Sequence, residues 1–584
     1  MENQQYWGRI ANTRIRRRTA LKGGAITGAG LATGFLAACS GSSNNNGGKT
    51  SAPTAASTRA AVSPGTAAAS AAAASPAAKA APSVTPKKGG TLVHQINADP
   101  PSLNLWTEFT YIVNVAVAPV YNQLLQVDPL DESKVIGDLA KSWEYANSDK
   151  TEIVFKLQDA SITWHDGKPF SAEDVKATYD WLSNLPKGVV SQRTTAARGI
   201  DKIEIVDQKT LKFTLKHPQA SFISGISSHH FAMGAKHIID QTNTLLDSNQ
   251  QPVGTGPFVF KNYKRNSVLD FERNKTYWRP DRPYLDGISC FIIPEPATEI
   301  AQFLNGQLAL LRPIAVSDLA QIQKTLADRG TIVVTPSLSR AALIPNGTRP
   351  PFNDVRMREA ISAAIDRDEY NKIRDEGKGF KGAYLNPKGP WGLPDSDLAK
   401  FTGYDGKQDL QKAKQLMSAA GFGDGYKGRM PVREDFQENA VALQQMLKQA
   451  GFDFNIEVEK SAILTQRATD TQFDLLCHTW ATPFDDPDDG FAEMIISPDR
   501  AGRNWAKITT PEVDRLFDLQ RVEFDAAKRK QISNDCDKAG LANYPNMVVL
   551  YDPSITAEYN FLVDYKPQVS QYTNQRYENV WLSK

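Results

Sequence analysis

Residues 40–86 contain no aromatic side chain, and this feature limits most strongly where the 584-residue chain can fold. The segment consists almost entirely of Ser, Asn, Gly, Ala, Thr and Pro, so it cannot bury enough apolar surface to offset the conformational entropy lost on ordering. We expect a flexible tether with an r.m.s. span of roughly 40 Å. A folded body can begin only near Lys88, and the chain that follows is long enough for at least two lobes.

The residues before the tether carry the features of an export signal in the expected order. Basic residues up to Lys22 precede an apolar, Gly/Ala-rich run over residues 23–38, which is too short to span a bilayer stably. The arginine pair at positions 17 and 18 resembles a twin-arginine signal. Residues 36–38 are Leu-Ala-Ala and precede Cys39, as in the bacterial lipobox, where the cysteine is lipidated and becomes the mature N-terminus. We therefore expect Cys39 to anchor the protein to a membrane.

The net charge of the folded part excludes one class of partner. The whole chain carries +2 at pH 7, but residues 1–90 contain eleven Lys and Arg against one acid, so residues 91–584 carry −8. A nucleic-acid-binding domain needs a net basic face to neutralise phosphates. We expect no nucleic-acid partner.

The cysteines form no recognisable metal or disulfide pattern. Besides Cys39 there are Cys290, Cys477 and Cys536, and none of them has a short metal-ligand spacing to another. We expect buried thiols, no resident metal and no cofactor. The motifs of a serine hydrolase, a zinc protease and a phosphate-binding loop are also missing, so the sequence offers no catalytic residue for the alternative of a secreted hydrolase.

Past Lys88 the hydrophobic pattern predicts an α/β protein, because strand-like and helix-like segments alternate. Apolar residues alternate over 153–157 and 211–215 as in half-buried strands, and residues 203–205 precede the second across a short polar turn, which predicts a hairpin. Helix ends are predicted from capping residues at Ser171 with Asp174, at Asn353, at Gly421, at Gly451 and at Thr510 with Pro511.

Several short motifs follow one another in order across residues 88–584. They are KGGTL (88–92), DPPSLN (99–104), VYNQL (120–124), LAKSWE (139–144), ITWHDGKPFSAEDV (162–175), GTGPF (254–258), NKTYW (274–278), PFNDVRMREAISAAID (351–366), PWG (390–392), QFDLL (472–476) and RNW (503–505). The ordered set resembles the family 5 extracellular solute-binding proteins, which are the dipeptide, oligopeptide and nickel binders of bacterial ABC importers.

This resemblance implies both a fold and a function. The fold is α/β, a two-lobed periplasmic-binding-protein fold with an extra subdomain in lobe I, and its lobes close on a ligand about a hinge. The implied function is to capture a peptide-sized ligand at the outer face of the cytoplasmic membrane and to deliver it to the membrane subunits of an ABC importer. We expect a lipid-anchored monomer that is not an enzyme. Its parts are an export signal (1–38), a linker (39–87), lobe I (88–345 and 554–584) and lobe II (346–553).

The resemblance also implies a ligand site, at which this chain departs from its family. In peptide-binding members a Trp of lobe II is followed three residues later by an Asp that pairs with the peptide amine. Trp480 occupies the Trp position here, but Pro483 stands where the Asp is required. A buried ammonium without a carboxylate is costly, so we expect free dipeptides and tripeptides to bind poorly unless Asp485 replaces the missing Asp. Oligosaccharides stacked on aromatic side chains are the alternative ligands.

The candidate site has members near several of the motifs. The candidate ligand-binding residues are Trp480, Phe484, Asp485, Trp391, Asn504, Asn104 and Trp106. Trp480 also fits an interpretation as plain core of lobe II, and His478 beside it leaves a metal-chelate ligand open. The acidic residues of 485–489 lack two of the oxygen ligands of a calcium loop, which favours a solvated acidic turn.

Overall fold

The computed structural model describes residues 85–584, apart from residues 109, 188, 190, 192–194, 247, 248, 250, 483, 493, 501, 502 and 571. The predicted export signal, Cys39 and the linker up to residue 84 lie outside the described residues, as does Pro483.

Strands and helices alternate along the described chain, as predicted. The strands are β1 (Thr91–Ile96), β2 (Leu125–Asp128), β3 (Asp131–Gly137), β4 (Ala140–Tyr145), β5 (Glu152–Leu157), β6 (Ile200–Asp207), β7 (Thr210–Leu215), β8 (Phe258–Lys264), β9 (Val268–Arg273), β10 (Gly287–Ile292), β11 (Leu310–Leu311), β12 (Gly330–Pro345), β13 (Tyr426–Arg433), β14 (Phe452–Glu459), β15 (Leu475–Ala481), β16 (Met547–Tyr559), β17 (Leu562–Val563) and β18 (Trp581–Leu582). The helices are α1 (Tyr111–Val117), α2 (Ala172–Ser183), α3 (Thr195–Arg198), α4 (Phe222–Gly225), α5 (Lys236–Thr242), α6 (Pro296–Leu304), α7 (Val316–Leu326), α8 (Val355–Ala363), α9 (Arg367–Asp375), α10 (Asp395–Leu398), α11 (Leu410–Ala419), α12 (Gln437–Ala450), α13 (Ser461–Thr469), α14 (Pro487–Ala492), α15 (Pro511–Val522) and α16 (Ala526–Leu541). Within the described residues, no helix has the length and apolar character that crossing a membrane requires.

The fold is two-lobed, and lobe I holds the largest hydrophobic core, here called core A. Its buried residues come from 92–310 and from 562–582, so the end of the chain returns to the lobe in which it began. One sheet of lobe I has the strand order β1-β10-β9-β8, and a second has the order β4-β5-β7-β6. In the second sheet β6 and β7 pair antiparallel, which confirms the predicted hairpin.

The predicted helix ends are largely confirmed by their capping geometry. Ser171 caps α2, and the Asp174 side chain accepts a hydrogen bond from the Ser171 backbone N–H, which completes a capping box. Gly451 follows α12 with φ of 108°, a left-handed conformation that glycine adopts without strain. One start is displaced by a residue: α8 is capped by Asp354 instead of Asn353, because the Asp354 carboxylate accepts from the Arg356 N–H.

A six-stranded sheet in the order β11-β16-β12-β15-β13-β14 runs from lobe I, which holds β11, into lobe II, where a core covers each of its faces. Successive side chains of a strand point to opposite faces, so Leu343 and Cys477 belong to one core, called core B. Their neighbours Ile344 and Leu476 belong to the other, called core C. A strand buried on both faces needs apolar residues at consecutive positions, and the sequence supplies them in β12 and β15.

Two long strands, β12 and β16, run between the cores of the two lobes. Their first-lobe halves pair from Gly330 opposite Tyr559 to Pro336 opposite Pro553, beside a small core formed with α6 and α7. The pairing is interrupted after Pro336 and resumes at Arg340, after which β12 enters the sheet of lobe II. The connection between the lobes is therefore an irregular two-stranded ribbon.

Candidate ligand-binding site

The loop between β15 and α14 lies where the two lobes touch. It starts after Ala481, and its residue Phe484 approaches helix α4 of lobe I so closely that a Cβ on Gly225 would lie 3.9 Å from the Phe484 ring. Asp486, at the end of the same loop, accepts a hydrogen bond from the Ser224 hydroxyl of lobe I at 3.0 Å. The loop that carries the predicted site therefore faces the other lobe.

Asp485 is a half-buried residue of this loop. Its Oδ2 accepts a hydrogen bond from Asn386 Nδ2 at 3.0 Å, and its backbone carbonyl accepts one from Trp391 Nε1 at 3.2 Å. Among the described residues, no Lys, Arg or His nitrogen lies within 4.0 Å of the carboxylate. Burial raises the pKa of Asp485 to about 7, and the negative charges of Asp486 and of Glu132 in lobe I act in the same direction.

Asp486 is paired inside lobe II. Arg529 Nη1 and Nη2 donate to its two carboxylate oxygens at 3.0 and 2.7 Å, and both side chains are buried. The Arg529 guanidinium also lies 4.8 Å from the centre of the Trp391 ring, at cation–π distance. The expectation of a solvated acidic turn is therefore wrong at Asp486. Its partner Arg529 lies 43 positions further along the chain, so the local sequence does not reveal the pairing.

Asp488 joins the same contact between the lobes. The Ser221 hydroxyl of lobe I donates to its Oδ2, and Gln520 Nε2 of lobe II donates to its Oδ1. Burial raises the pKa of Asp488, and the nearby charge of Asp486 adds to the effect. Asp486 thus binds Ser224 of α4, and Asp488 binds Ser221, the residue directly before α4.

Trp480 is buried at 2% exposure in core C. Its ring centroid lies 5.0 Å from that of Trp505, and the His478 ring centroid lies 5.1 Å from that of Trp505 and 5.6 Å from that of Trp480. Burial and, next, the charge of Arg433 lower the pKa of His478 to about 4, so its imidazole is neutral at pH 7. In the part of the chain that the structure describes, no group of three or more His, Cys, Asp or Glu is placed to hold a metal ion.

Three more candidate residues use their polar groups within the fold. Trp106 is 1% exposed in core A, and its Nε1 donates to the Ala232 carbonyl at 2.9 Å. Asn104 Oδ1 accepts from the Trp106 backbone N–H at 3.1 Å, so it shapes the turn before α1. Asn504 is 1% exposed, and its Nδ2 donates to two loop carbonyls at 2.8 Å each.

The structure brings together Trp391, Phe484 and Asp485 of the predicted set and adds residues that the sequence did not indicate. The additions from lobe I are Ser221, Ser224 and Glu132. The two serines lie 267 and 262 positions from their aspartate partners, so no local pattern could have revealed them.

Comparison with known proteins agrees with this architecture. Residues 134–501, well over half of the chain, match the family model of the bacterial extracellular solute-binding proteins, family 5. The dipeptide-binding protein of Escherichia coli strain K12 is 26% identical over 472 residues, which cover 76% of this chain and 85% of that protein. Di/tripeptide-binding protein 1 of Pseudomonas aeruginosa strain UCBPP-PA14 is 25% identical over 460 residues, covering 74% and 83%.

A solved structure shares the fold. The ABC transporter-associated periplasmic binding protein DppA from Helicobacter pylori, in complex with peptide STSA, superposes with a TM-score of 0.70 at 23% identity, covering 85% of this chain and 99% of that one. The two-lobed α/β fold is the one expected of a solute-binding protein. The chain belongs to the bacterial extracellular solute-binding proteins of family 5.

Proposed function

We propose that the protein is a lipid-anchored, extracytoplasmic binding protein that captures a peptide-sized ligand between its lobes and delivers it to an ABC importer. Family membership supports the class of function. The observation that carries the ligand class is Asp485, a half-buried residue at the contact between the lobes whose carboxylate has no cation within 4.0 Å among the described residues. Relatives that bind dipeptides and tripeptides by name agree with it.

An ammonium group is the natural partner for this carboxylate. Burial and the charges of Asp486 and Glu132 make the ionised form of Asp485 unfavourable in the absence of ligand, and a cation beside it would reverse that effect. The α-amino group of a peptide supplies such a cation. Asp485 thereby takes the role that Pro483 leaves open, and the expectation that free peptides bind poorly loses its basis.

Oligosaccharides fit the observed aromatic residues less well. A sugar needs an accessible ring face for stacking, but Trp480 is 2% exposed and lies beside Trp505. Trp391 is half-buried, and the Arg529 guanidinium lies 4.8 Å from the centre of its ring. Phe484 is the remaining half-buried aromatic of the loop. The polar surroundings of Asp485 therefore favour a peptide over a sugar.

The lobe boundaries belong to the same proposal. The division of the buried residues among the cores supports the predicted lobe I (88–345 and 554–584) and lobe II (346–553) except at residues 341–344, which lie in cores B and C of lobe II. The interruption between Pro336 and Arg340, opposite residues 551–553, is the place where the ribbon can bend at least cost, since strand hydrogen bonds are already missing there. We place the hinge at this interruption.

The remaining parts of the function rest on the sequence. An export signal over residues 1–38, lipidation at Cys39 and a tether over 39–87 would hold a monomer at the outer face of the cytoplasmic membrane, within reach of importer subunits. A lipid anchor followed by a polar linker would keep the capture step close to the importer without fixing its orientation.

Native mass spectrometry tests the proposal directly. The purified protein is incubated with a defined mixture of dipeptides to pentapeptides, or with oligosaccharides, and the bound and released compounds are identified. We expect a one-to-one complex with intact peptides. Cleaved peptides would show an enzyme instead of a binding protein, and a complex with oligosaccharides alone would establish the alternative ligand class.

A further inference from the structure

Arg529 of α16 is buried directly behind the two carboxylates that contact lobe I, with 5% of its surface exposed. Its Nε donates to the Gln520 backbone carbonyl at 3.1 Å, and its Nη2 donates to Gln520 Oε1 at 3.0 Å. The same guanidinium donates to both Asp486 oxygens, at 3.0 and 2.7 Å. A planar group that binds two partners at once fixes the orientation of both side chains.

Each of these two side chains leads to lobe I. Asp486 Oδ2 accepts a hydrogen bond from the Ser224 hydroxyl at 3.0 Å. Gln520 Nε2 donates to Asp488 Oδ1, and the Ser221 hydroxyl donates to the other oxygen of Asp488. We call the two connections the Asp486 branch (Arg529, Asp486 and Ser224) and the Asp488 branch (Arg529, Gln520, Asp488 and Ser221).

The carboxylates are held on their lobe II side. Asp486 Oδ1 accepts from Arg529 and from the Asp488 backbone N–H, the latter at 3.0 Å. The other oxygen of Asp486 is the atom that receives the Ser224 hydroxyl. Side chains that are already oriented when two surfaces meet lose less conformational entropy on contact. The lobe II half of the contact is therefore preorganised.

Arg529 is the buried cation of this contact, and Arg521 does not replace it. Arg521 Nε lies 3.5 Å from Asp488 Oδ2, but 40% of the Arg521 side chain is exposed, so water screens the interaction. Arg529 also lies 4.8 Å from the centre of the Trp391 ring, and Trp391 Nε1 donates to the Asp485 carbonyl. From one position, Arg529 thus supports both the contact between the lobes and the loop that carries Asp485.

We propose that Arg529, assisted by Gln520, is a positioning residue for closure of the lobes. It holds the carboxylates of Asp486 and Asp488 in the orientation in which lobe I meets them. The inference rests on the proposed function, because it requires lobes that open and close. It adds that one buried arginine of lobe II controls both serine contacts of lobe I.

The ratio of closed to open protein measures this role without a ligand. Double electron–electron resonance determines the distance between spin labels at Lys202→Cys in lobe I and Lys427→Cys in lobe II, both exposed positions. The full chain also carries Cys39→Ser, and the three native thiols that remain are buried. We expect a short and a long distance, and their populations give the ratio.

A double-mutant cycle separates positioning from general stabilisation. Arg529→Lys keeps the charge but loses the planar fork, so the closed-to-open ratio should fall by about tenfold. Adding it to Ser221→Ala with Ser224→Ala should lower the ratio no further than the serine changes do alone, because all three act through the same contacts. The control Arg358→Lys changes an arginine of lobe II that is also 5% exposed and donates to two backbone carbonyls. It should lower the melting temperature and leave the ratio unchanged.

Gln520→Met tests one branch at a time and remains available if Arg529→Lys does not fold. It removes the amide that donates to Asp488 and preserves the length of the side chain. Its effect on the ratio should therefore overlap with that of Ser221→Ala and add to that of Ser224→Ala. Equal additivity with both serine changes would contradict the Asp488 branch.

The outcomes separate this inference from the capture of peptides. A wild-type ratio in Arg529→Lys, a ratio that the serine changes leave unaltered, or fully additive effects of Arg529→Lys and the serine changes would refute the positioning role. Peptide binding in native mass spectrometry would stand in each of these cases. If the cycle shows the expected coupling but no peptide binds the wild type, the positioning role is supported and the proposed ligand class is refuted.

Discussion

The Ser224 hydroxyl of lobe I donates a hydrogen bond to the Asp486 carboxylate of lobe II, with 3.0 Å between Oγ and Oδ2. Ser221 makes the same kind of contact with Asp488, and the Ala220 backbone N–H donates to the Arg521 carbonyl at 2.7 Å. Asp485 lies directly before Asp486 in the chain. The contacts that hold the lobes together and the carboxylate proposed to bind the ligand therefore share one loop.

Replacing both serines by alanine should weaken ligand binding without touching the ligand. The closed arrangement loses two hydrogen bonds to carboxylates, so a smaller fraction of the protein is competent to retain the ligand, and the apparent affinity falls. We expect about a tenfold loss for Ser221→Ala with Ser224→Ala, mainly as faster dissociation in stopped-flow measurements. The control is Ser289→Ala, which removes a serine–aspartate bond of 2.8 Å inside lobe I. Equal dissociation rates for the double variant and the wild type would rule out a role in closure.

Ligand should close the lobes about the ribbon formed by β12 and β16. The interruption between Pro336 and Arg340 leaves this ribbon without continuous pairing, so rotation there breaks few hydrogen bonds. Small-angle X-ray scattering with and without a saturating ligand should show a smaller radius of gyration in the complex. An unchanged radius at saturation would count against a hinge at this place.

Changing Cys39 to Ser should release the protein from membranes. Lipidation needs the thiol of this cysteine, and the tether after it has no apolar segment that could replace the anchor. Fractionation followed by immunodetection measures the change, and Ser40→Ala is the matched control because it alters the adjacent position and leaves the cysteine intact. Membrane attachment of Cys39→Ser equal to that of the wild type would refute the anchor.

The sequence predicted those parts of the fold that depend on neighbouring residues. The capping box at Ser171, the left-handed Gly451 and the hairpin of β6 and β7 all follow from local chemistry and hydrophobic period, and the order of motifs indicated the family. The predicted cap, Asn353, lies one residue before the observed cap, Asp354, because the two residues are adjacent and Asn and Asp are almost equivalent as caps.

The site was less predictable, because its partners come from distant parts of the chain. Asp486 was expected in solvent, but it pairs with Arg529 from another helix. Trp106 carries no sequence signal that distinguishes a ligand-facing ring from the core position it occupies.

Peptide affinity should fall as the pH drops below 7. Ligand-free Asp485 has a pKa of about 7, and an ammonium beside its carboxylate stabilises the ionised form, so the pKa in the complex is lower. The ligand then binds the deprotonated protein preferentially, and below pH 7 each binding event must release a proton, which weakens affinity by up to about tenfold per pH unit. Calorimetry from pH 5 to pH 8 measures this loss of affinity below pH 7, which we call the acid limb.

Two variants identify the group responsible for the acid limb. Asp485→Asn removes the titrating carboxylate and should flatten the limb at a lower overall affinity. Burial also raises the pKa of Asp537 to about 7, but this residue is fully buried and accepts a hydrogen bond from the Tyr384 backbone N–H. Asp537→Asn should therefore keep the limb. If the acid limb disappears in Asp537→Asn and persists in Asp485→Asn, the titrating group is Asp537, and the assignment to Asp485 is refuted.

The most direct test of the central claim is calorimetry of trialanine against N-acetyl-trialanine on the wild-type protein at pH 7.5. Acetylation removes the ammonium group and leaves the rest of the peptide unchanged, so it isolates the contact assigned to Asp485. The account predicts that acetylation weakens binding by about tenfold or more, the value of a charge-assisted hydrogen bond. Equal or tighter binding of the acetylated peptide would contradict this prediction. It would show that Asp485 does not replace the Asp that is missing at position 483.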